Sequence, residues 1–460
     1  MKHNLGQEAI YDARTLGVPR MLILGLQHLF AMFGATVLVP ILVTGYGLPL
    51  SIQTTLLMAG LGTLIFHLCT KFKVPAFLGS SFAFLGGFEA VAKLDSGMYA
   101  GMSGEEKLPY ALGGIVVAGA LYLVLALLFK LVGAKKVMRF FPPIVTGPII
   151  ICIGLILSSS AIDNCRTNWW IALVAIIVVI LCNIFGKGMI KIVPILLGVI
   201  ASYLVAAITG NVDFTPVKDA AWIGIPFQWK NTVFGMLTSP DLDPSMLITA
   251  AVTIMPLAIA TMVEHIGDMC AISSTCERNY LEDPGFHRTL LGDGLATTLA
   301  SLFGAPANTT YGENTGVLAL SKVYDPRVIR IAAYFAIVFS FCPKFAALIS
   351  AMPAATIGGI SMILYGMISA VGVRNVVENK VDFTNTRNVI IAAVIMVLAI
   401  GINYSGAVSF NIGSITISLS GLAVAAVVGI ILNAILPGKD YEFGTDNQGD
   451  TSVNFGSRHD

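Results

Sequence analysis

Gly304-Ala-Pro-Ala-Asn-Thr-Thr-Tyr-Gly-Glu-Asn-Thr-Gly-Val-Leu-Ala-Leu-Ser321 is the stretch whose reading decides the fold. It opens with a β-prone polar run, Asn308 to Tyr311, and sets a carboxylate, Glu313, at the mouth of a short helix. Around it stand apolar runs long enough to cross a bilayer. Backbone of this irregular kind exists at membrane depth only where it lines a cavity or is buried in protein, because lipid satisfies none of its polar groups. The stretch therefore marks a candidate site, and the rest of the chain is its housing.

Composition supports that reading. Of 460 residues, 56% are hydrophobic and 12% charged, against roughly 25% charged in an average soluble domain. The mean hydropathy is +0.83. This is the composition of an integral membrane protein. A net charge of +1 and the lack of a dense basic cluster exclude nucleic acid as a partner. The seven cysteines are scattered, with no metal or redox spacing, and read as reduced structural thiols. Residues 1–20 are polar and lack the apolar core and cleavage site of a signal peptide, so the first spanning helix is expected to stay in the protein. The sequence has no Gly-rich Lys-Ser/Thr loop, His-Glu-x-x-His or Gly-x-Ser-x-Gly motif, which argues against an enzyme and against a cofactor.

Apolar segments fall near 20–44, 50–70, 76–94, 109–132, 140–162, 167–186, 190–209, 246–272, 286–303, 308–322, 328–351, 354–373, 387–405 and 413–436. Most approach the ~20 residues a spanning helix needs. The expectation is an all-α membrane protein of 14 transmembrane segments, with short β-strands in segments 3 and 10. If the N-terminus is cytoplasmic, 21 of the 27 Lys and Arg lie inside, five outside (Lys93, Lys107, Arg166, Lys218, Lys230), and Lys344 within a span. That skew obeys the positive-inside rule and places both termini, 1–19 and 437–460, in the cytoplasm of a cell-membrane protein.

The loop 210–245 joins two halves, 20–209 and 246–436. Leu26-Gln-His-Leu-Phe-Ala-Met32 aligns with Val263-Glu-His-Ile-Gly-Asp-Met269 at an offset of 237, and Pro75-Ala-Phe-Leu-Gly-Ser-Ser-Phe82 with Pro306-Ala-Asn-Thr-Thr-Tyr-Gly-Glu313 at 231. Seven crossings, an odd number, separate the copies, so the repeats are expected to be inverted. Inverted repeats with interrupted segments at matching positions point to a transporter with a central site.

In that geometry the two extended stretches enter from opposite faces and pair. Half-helices then begin near Phe82 and Gly312 with free N–H groups aimed at a shared centre. Glu264 and Glu313 supply acceptors, and a planar ring of alternating N–H and C=O groups would fit. Burial and a helix N-terminus act on Glu313 in opposite senses, which suits a group that changes protonation during transport. Asp268 stands one turn beyond Glu264 on the same helix face, a second candidate proton carrier. His28 and His265 read as inter-helix hydrogen-bonding residues, and Asp293 and His67 as packing residues.

Gln27-His-Leu-Phe-Ala-Met-Phe-Gly-Ala-Thr-Val-Leu-Val-Pro40, Gly79-Ser-Ser-Phe-Ala-Phe84, Glu264-His-Ile-Gly267, Asp283-Pro-Gly-Phe-His-Arg288 and Asn308-Thr-Thr-Tyr-Gly-Glu-Asn-Thr-Gly316 resemble the nucleobase–cation symporter-2 (nucleobase–ascorbate transporter) family over about 20–436. The resemblance is strongest to its uracil-carrying bacterial branch. It implies a core domain (segments 1–4 and 8–11), a gate domain (segments 5–7 and 12–14), a homodimer in the membrane lipid, and uracil:proton symport by alternating access. It also implies that Glu264 and Glu313 hold the pyrimidine, that the amides of Phe82 and Gly312 meet its carbonyls, and that Ala35, Tyr311 and Tyr365 line the pocket. Glu264, Asp268 and Glu313 are the proton-coupling candidates. The sequence departs at Asp268, where uracil carriers of this type have histidine and the purine branch has aspartate, yet the purine branch has glutamine in place of Glu313. A xanthine or purine symporter of the same family, and an anion transporter of similar fold, are the alternatives.

Overall fold

The computed structural model describes residues 9–95, 99–187, 190, 193–240, 242–406, 408–412 and 415–439. The chain enters the apolar region as α1 (Val18–Gly45), begun by Pro19 where a missing N–H is harmless, and returns as α2 (Ile52–Cys69), capped by the Ser51 hydroxyl. A three-residue strand, β1 (Leu78–Ser80), and an eight-residue helix, α3 (Leu85–Ala92), follow. Next come α4 (Gly104–Val132), opened by a reciprocal Ser103–Glu106 capping box, then α5 (Pro143–Arg166), α6 (Trp169–Phe185) and α7 (Pro194–Ile208). The second half begins with α8 (Pro244–Ile254), α9 (Leu257–Thr275) and α10 (Phe286–Leu302). Strand β2 (Asn308–Thr310) leads directly into α11 (Gly312–Ser321). The chain closes with α12 (Pro326–Ser340), α13 (Pro343–Ser350), α14 (Ala354–Glu378), α15 (Thr386–Ser405), a hairpin of β3 (Val408–Ile412) and β4 (Ile415–Leu419), and α16 (Gly421–Ile435).

Among the described residues seven helices are long and apolar enough to cross a membrane, or eight if the bent pair α12–α13 counts as one span. The protein is therefore mostly helical and passes the membrane many times. Helices α6, α7 and α16 are apolar but shorter.

Several boundaries differ from the hydropathy reading for local reasons. The 413–436 segment is not one helix: residues from Ile415 pair antiparallel with β3, and the helix starts only at Gly421 behind the Ser420 cap. Ile415, Thr416 and Ile417 are β-prone, a preference that hydropathy does not register. The 246–272 segment stays one span, Pro244–Thr275, with its hydrogen-bond ladder interrupted between α8 and α9 at Pro256, which has no N–H. The 328–351 segment bends by 89° between α12 and α13. Lys344, expected inside a span, accordingly sits past that bend, 5.1 Å above the Trp222 ring. The half-helix expected near Phe82 begins at Leu85, whose N–H donates to the Phe82 carbonyl at 3.1 Å in a single turn.

Packing divides the helices. α10 lies against α4 and α2, α12 against α2 and α1, and α8 against α4. α14 lies along α5 and α6, α6 pairs with α7, and α15 packs between α16 and α5. Ahead of α1, Ile10 bridges to Val323 just past α11, its N–H donating to Lys322 O and its carbonyl accepting from Tyr324 N, both at 2.8 Å. Asp12 accepts from the Arg14 side chain and from Arg327, and the Arg14 guanidinium above all holds the Asp12 carboxyl down at about 2.

Candidate functional site

Two strands too short to stand alone are stabilised by each other. β1 and β2 pair antiparallel with register Leu78↔Thr310, Gly79↔Thr309 and Ser80↔Asn308. The ladder is extended by Tyr311 N donating to Phe77 O at 3.0 Å and Ser81 N donating to Ala307 O at 2.9 Å. All six strand residues are buried. With no water at hand, their backbone groups must be satisfied by protein. The flanking helices supply further partners, through side chains and one backbone carbonyl. Thr63 on α2 accepts from Leu78 N at 2.9 Å, Thr297 on α10 donates to Asn308 O at 2.8 Å, and Asn308 Nδ2 donates to Met58 O at 3.0 Å.

Tyr311, the residue between β2 and α11, is fixed by two groups that are themselves bonded to each other. Its hydroxyl donates to Ser80 O at 2.9 Å and accepts from Thr36 Oγ1 at 3.3 Å, while Ser80 Oγ donates to Thr36 O at 2.7 Å. Gly79 makes room for the ring, since a Cβ there would stand 2.4 Å from its atoms. Ala35, next to Thr36 on α1, is fully buried in the same core.

Beyond Tyr311 the surroundings open. Gly312 is exposed, Glu313 is half-buried on the first turn of α11, and a Cβ added at Gly312 would meet no atom within 4 Å. Across from it on α9, Glu264 and Asp268 are also half-buried, while His265 and Ile266 between them are buried. The i, i+4 spacing puts both carboxylates on one face of α9. Thr310 Oγ1 donates to Asp268 Oδ2 at 2.7 Å and so ties α9 to β2. The three carboxylates lie within electrostatic reach of one another. On the other side, the Phe82 ring meets Tyr365 of α14 edge-on, with centroids 5.9 Å apart, and Phe82 also borders a small, partly open cavity. That cavity is bordered by Phe82, Gly86, Leu157, Leu257, Asn403 and Ser420, and none of the three acids lines it.

The structure thus brings Tyr311, Gly312, Glu313, Glu264 and Asp268 to one junction, with Phe82 and Tyr365 on its apolar flank. Sequence reasoning missed Thr36, Ser80 and Thr310, whose hydroxyls organise the junction; ordinary Thr and Ser in a membrane protein carry no distinguishing signal. The buried histidines face other helices: Asn314 Nδ2 stands 3.2 Å from His28 Nδ1, and His265 Nδ1 stands 3.0 Å from Asp293 Oδ2. Among the described residues no group of His, Cys, Asp and Glu is arranged to hold a metal.

A helical bundle that passes the membrane many times and sets three partly exposed acids beside paired strand–helix junctions has the make-up of a membrane carrier. The model of the Permease family matches residues 19–408, and the chain belongs to that family. It is therefore a transporter and not an enzyme. A uracil permease of Bacillus caldolyticus is 42% identical over 94% of both chains, and one of Bacillus subtilis (strain 168) is 40% identical over 90% of this chain and 91% of its own. The transmembrane domain of a cyanobacterium bicarbonate transporter, BicA, shares the fold with a TM-score of 0.57 at 15% identity, covering 93% of this chain and 99% of its own.

Proposed function

We propose that the chain imports uracil together with protons across the cell membrane by alternating access. The observation that carries this reading is the β2–α11 junction, where exposed Gly312 and half-buried Glu313 open a helix toward Glu264 and Asp268. The first N–H groups of a helix lack intrahelical partners and suit the carbonyl oxygens of a pyrimidine. Ionised carboxylates are acceptors only, and suit its ring N–H groups. In this reading the amides of Phe82 and Gly312 take the carbonyls, Glu264 and Glu313 take the N–H groups, and Ala35, Tyr311 and Tyr365 complete the lining. Glu264, Asp268 and Glu313 carry the coupling proton, and no other cofactor takes part. The relatives named uracil permeases support the substrate.

The accompanying architecture is 14 segments in two inverted repeats, 20–209 and 246–436. The antiparallel pairing of β1 with β2 favours it, because inversion brings matching strands together in that sense. Division into a core (segments 1–4 and 8–11) and a gate (segments 5–7 and 12–14) agrees with the partition of helix packing. The protein acts as a homodimer with both termini cytoplasmic, in keeping with the distribution of Lys and Arg.

Asp268 favours a second reading, xanthine or another purine as substrate, since a carboxylate at that position extends the acceptor set. Proteoliposomes supplied with labelled uracil, xanthine or sulfate, with and without an inward proton gradient, test both. Uracil uptake accelerated by the gradient is expected. Preference for xanthine replaces the substrate, sulfate uptake replaces the class, and equal uptake with and without the gradient removes proton coupling.

A further inference from the structure

We propose that residues 221–225, in the connection between α7 and α8, form a membrane-surface anchor in which Trp222, Ile223 and Ile225 are immersed in the interfacial zone of the lipid bilayer. These side chains are 72%, 84% and 77% exposed, a concentration of apolar surface that water does not favour. Their exposure does not come from a loose backbone. Gly224 N donates to Phe341 O at 3.0 Å, Lys344 N donates to Ala221 O at 2.9 Å, and Lys344 Nζ donates to Lys218 O at 3.3 Å. Gly224 is pressed so closely on Pro343 that a Cβ would stand 2.6 Å from its ring. The segment is held in place, and the apolar side chains are what it presents.

Its depth follows from its attachment. Phe341 is the residue immediately after α12, an apolar helix whose Tyr334 and Val338 face outward at 53% and 67% exposure. A segment bonded to the end of such a helix lies where the membrane meets water. Phe341 itself and Leu348 of α13, a helix lying at 89° to α12, are further exposed apolar groups on the elements this segment is bonded to. Tryptophan with an adjacent lysine is the composition of a membrane interface, the indole in the headgroup zone and the ammonium reaching water. Lys344 over the Trp222 ring has that arrangement. The occupant is therefore lipid, continuous with the lipid around α12. By this anchor the α12–α13 bend and the α7–α8 connection are held together at one depth.

The test uses tryptophan emission in liposomes. A chain with Trp169→Phe, Trp170→Phe and Trp229→Phe leaves Trp222 as reporter. Lipids brominated near the headgroup should quench it, and aqueous iodide should not. Quenching by iodide alone overturns the anchor. Shielding from both quenchers overturns it too, since a second copy of the chain then covers the patch. If the triple variant fails to fold, Trp222→Phe alone in the native chain serves: the bromolipid-quenched emission should fall relative to the native protein, and an unchanged signal overturns the proposal.

Discussion

The two strand–helix crossovers have the same backbone plan and opposite chemistry. In the first, β1 runs through a buried turn, Ser81 to Phe84, and α3 starts without a side-chain cap among Phe82, Phe84, Leu85 and Phe88. In the second, one residue, Tyr311, separates β2 from α11, and the helix opens with exposed Gly312 and half-buried Glu313. Apart from the Phe82 amide, the first crossover supplies apolar packing against Tyr365, whereas the second supplies acceptors, a further donor and space. Pairing the strands requires only matching backbone, which leaves side-chain chemistry free to differ.

If the second crossover carries recognition, Glu313→Gln and Glu264→Gln should lower kcat/KM for uracil most, by about 10- to 100-fold, the ~1.5–3 kcal/mol expected for a hydrogen bond to a charged group. Uptake kinetics in proteoliposomes measure this, and native kinetics in both variants would break the division of labour. Glycine substitutions sharpen it. Gly79→Ala drives a Cβ into the Tyr311 ring and should destabilise the fold by ~1–3 kcal/mol, read as a lower melting temperature in detergent. Gly312→Ala meets open space, so it should melt like the native protein but bind uracil more weakly, read by equilibrium binding.

Within β2, Thr310→Val removes the bond to Asp268 and should cost ~1 kcal/mol of stability or binding. Thr309→Val should be neutral or stabilising, because the buried Thr309 hydroxyl has no hydrogen-bond partner among the described residues. Calorimetry and binding on the pair would show whether the strand works through one face. The smallest effect concerns the chain start, which ties down the end of the second crossover. With its carboxyl held at about 2, below the ordinary 3.8, Asp12 contributes fully above the ordinary value and loses that contribution as pH falls through about 2. Asp12→Asn should speed amide exchange over 13–17 at neutral pH, and the native chain should show the same loosening only in strong acid.

Much of this was legible in advance, because lipid imposes severe rules. Long apolar runs had to be spans, and the polar interruption at 304–321 had to be housed. The pairing of 75–82 with 306–313 was visible because both carry proline followed by β-prone residues. What escaped was direction and contact. Hydropathy is blind to the 89° turn before Lys344, and it merges the Ile415–Leu419 strand with the helix behind it. The Thr310–Asp268 bond spans a separation in sequence that no local pattern reports. Why α3 starts at Leu85 and not nearer Phe82 depends on packing around Phe84 and Phe88, which only the assembled bundle supplies.

The β1–β2 ladder also sets an order of events in synthesis. Ser80 finds its partner, Asn308, more than 200 residues later in the chain. At roughly 5–20 residues per second, the ribosome takes roughly 10–50 s to deliver that partner. Throughout that interval the first strand's peptide groups must be kept wet or sheltered by the insertion machinery, since neither lipid nor the unfinished chain can satisfy them. The polypeptide is committed to the bilayer long before the centre of its bundle can close.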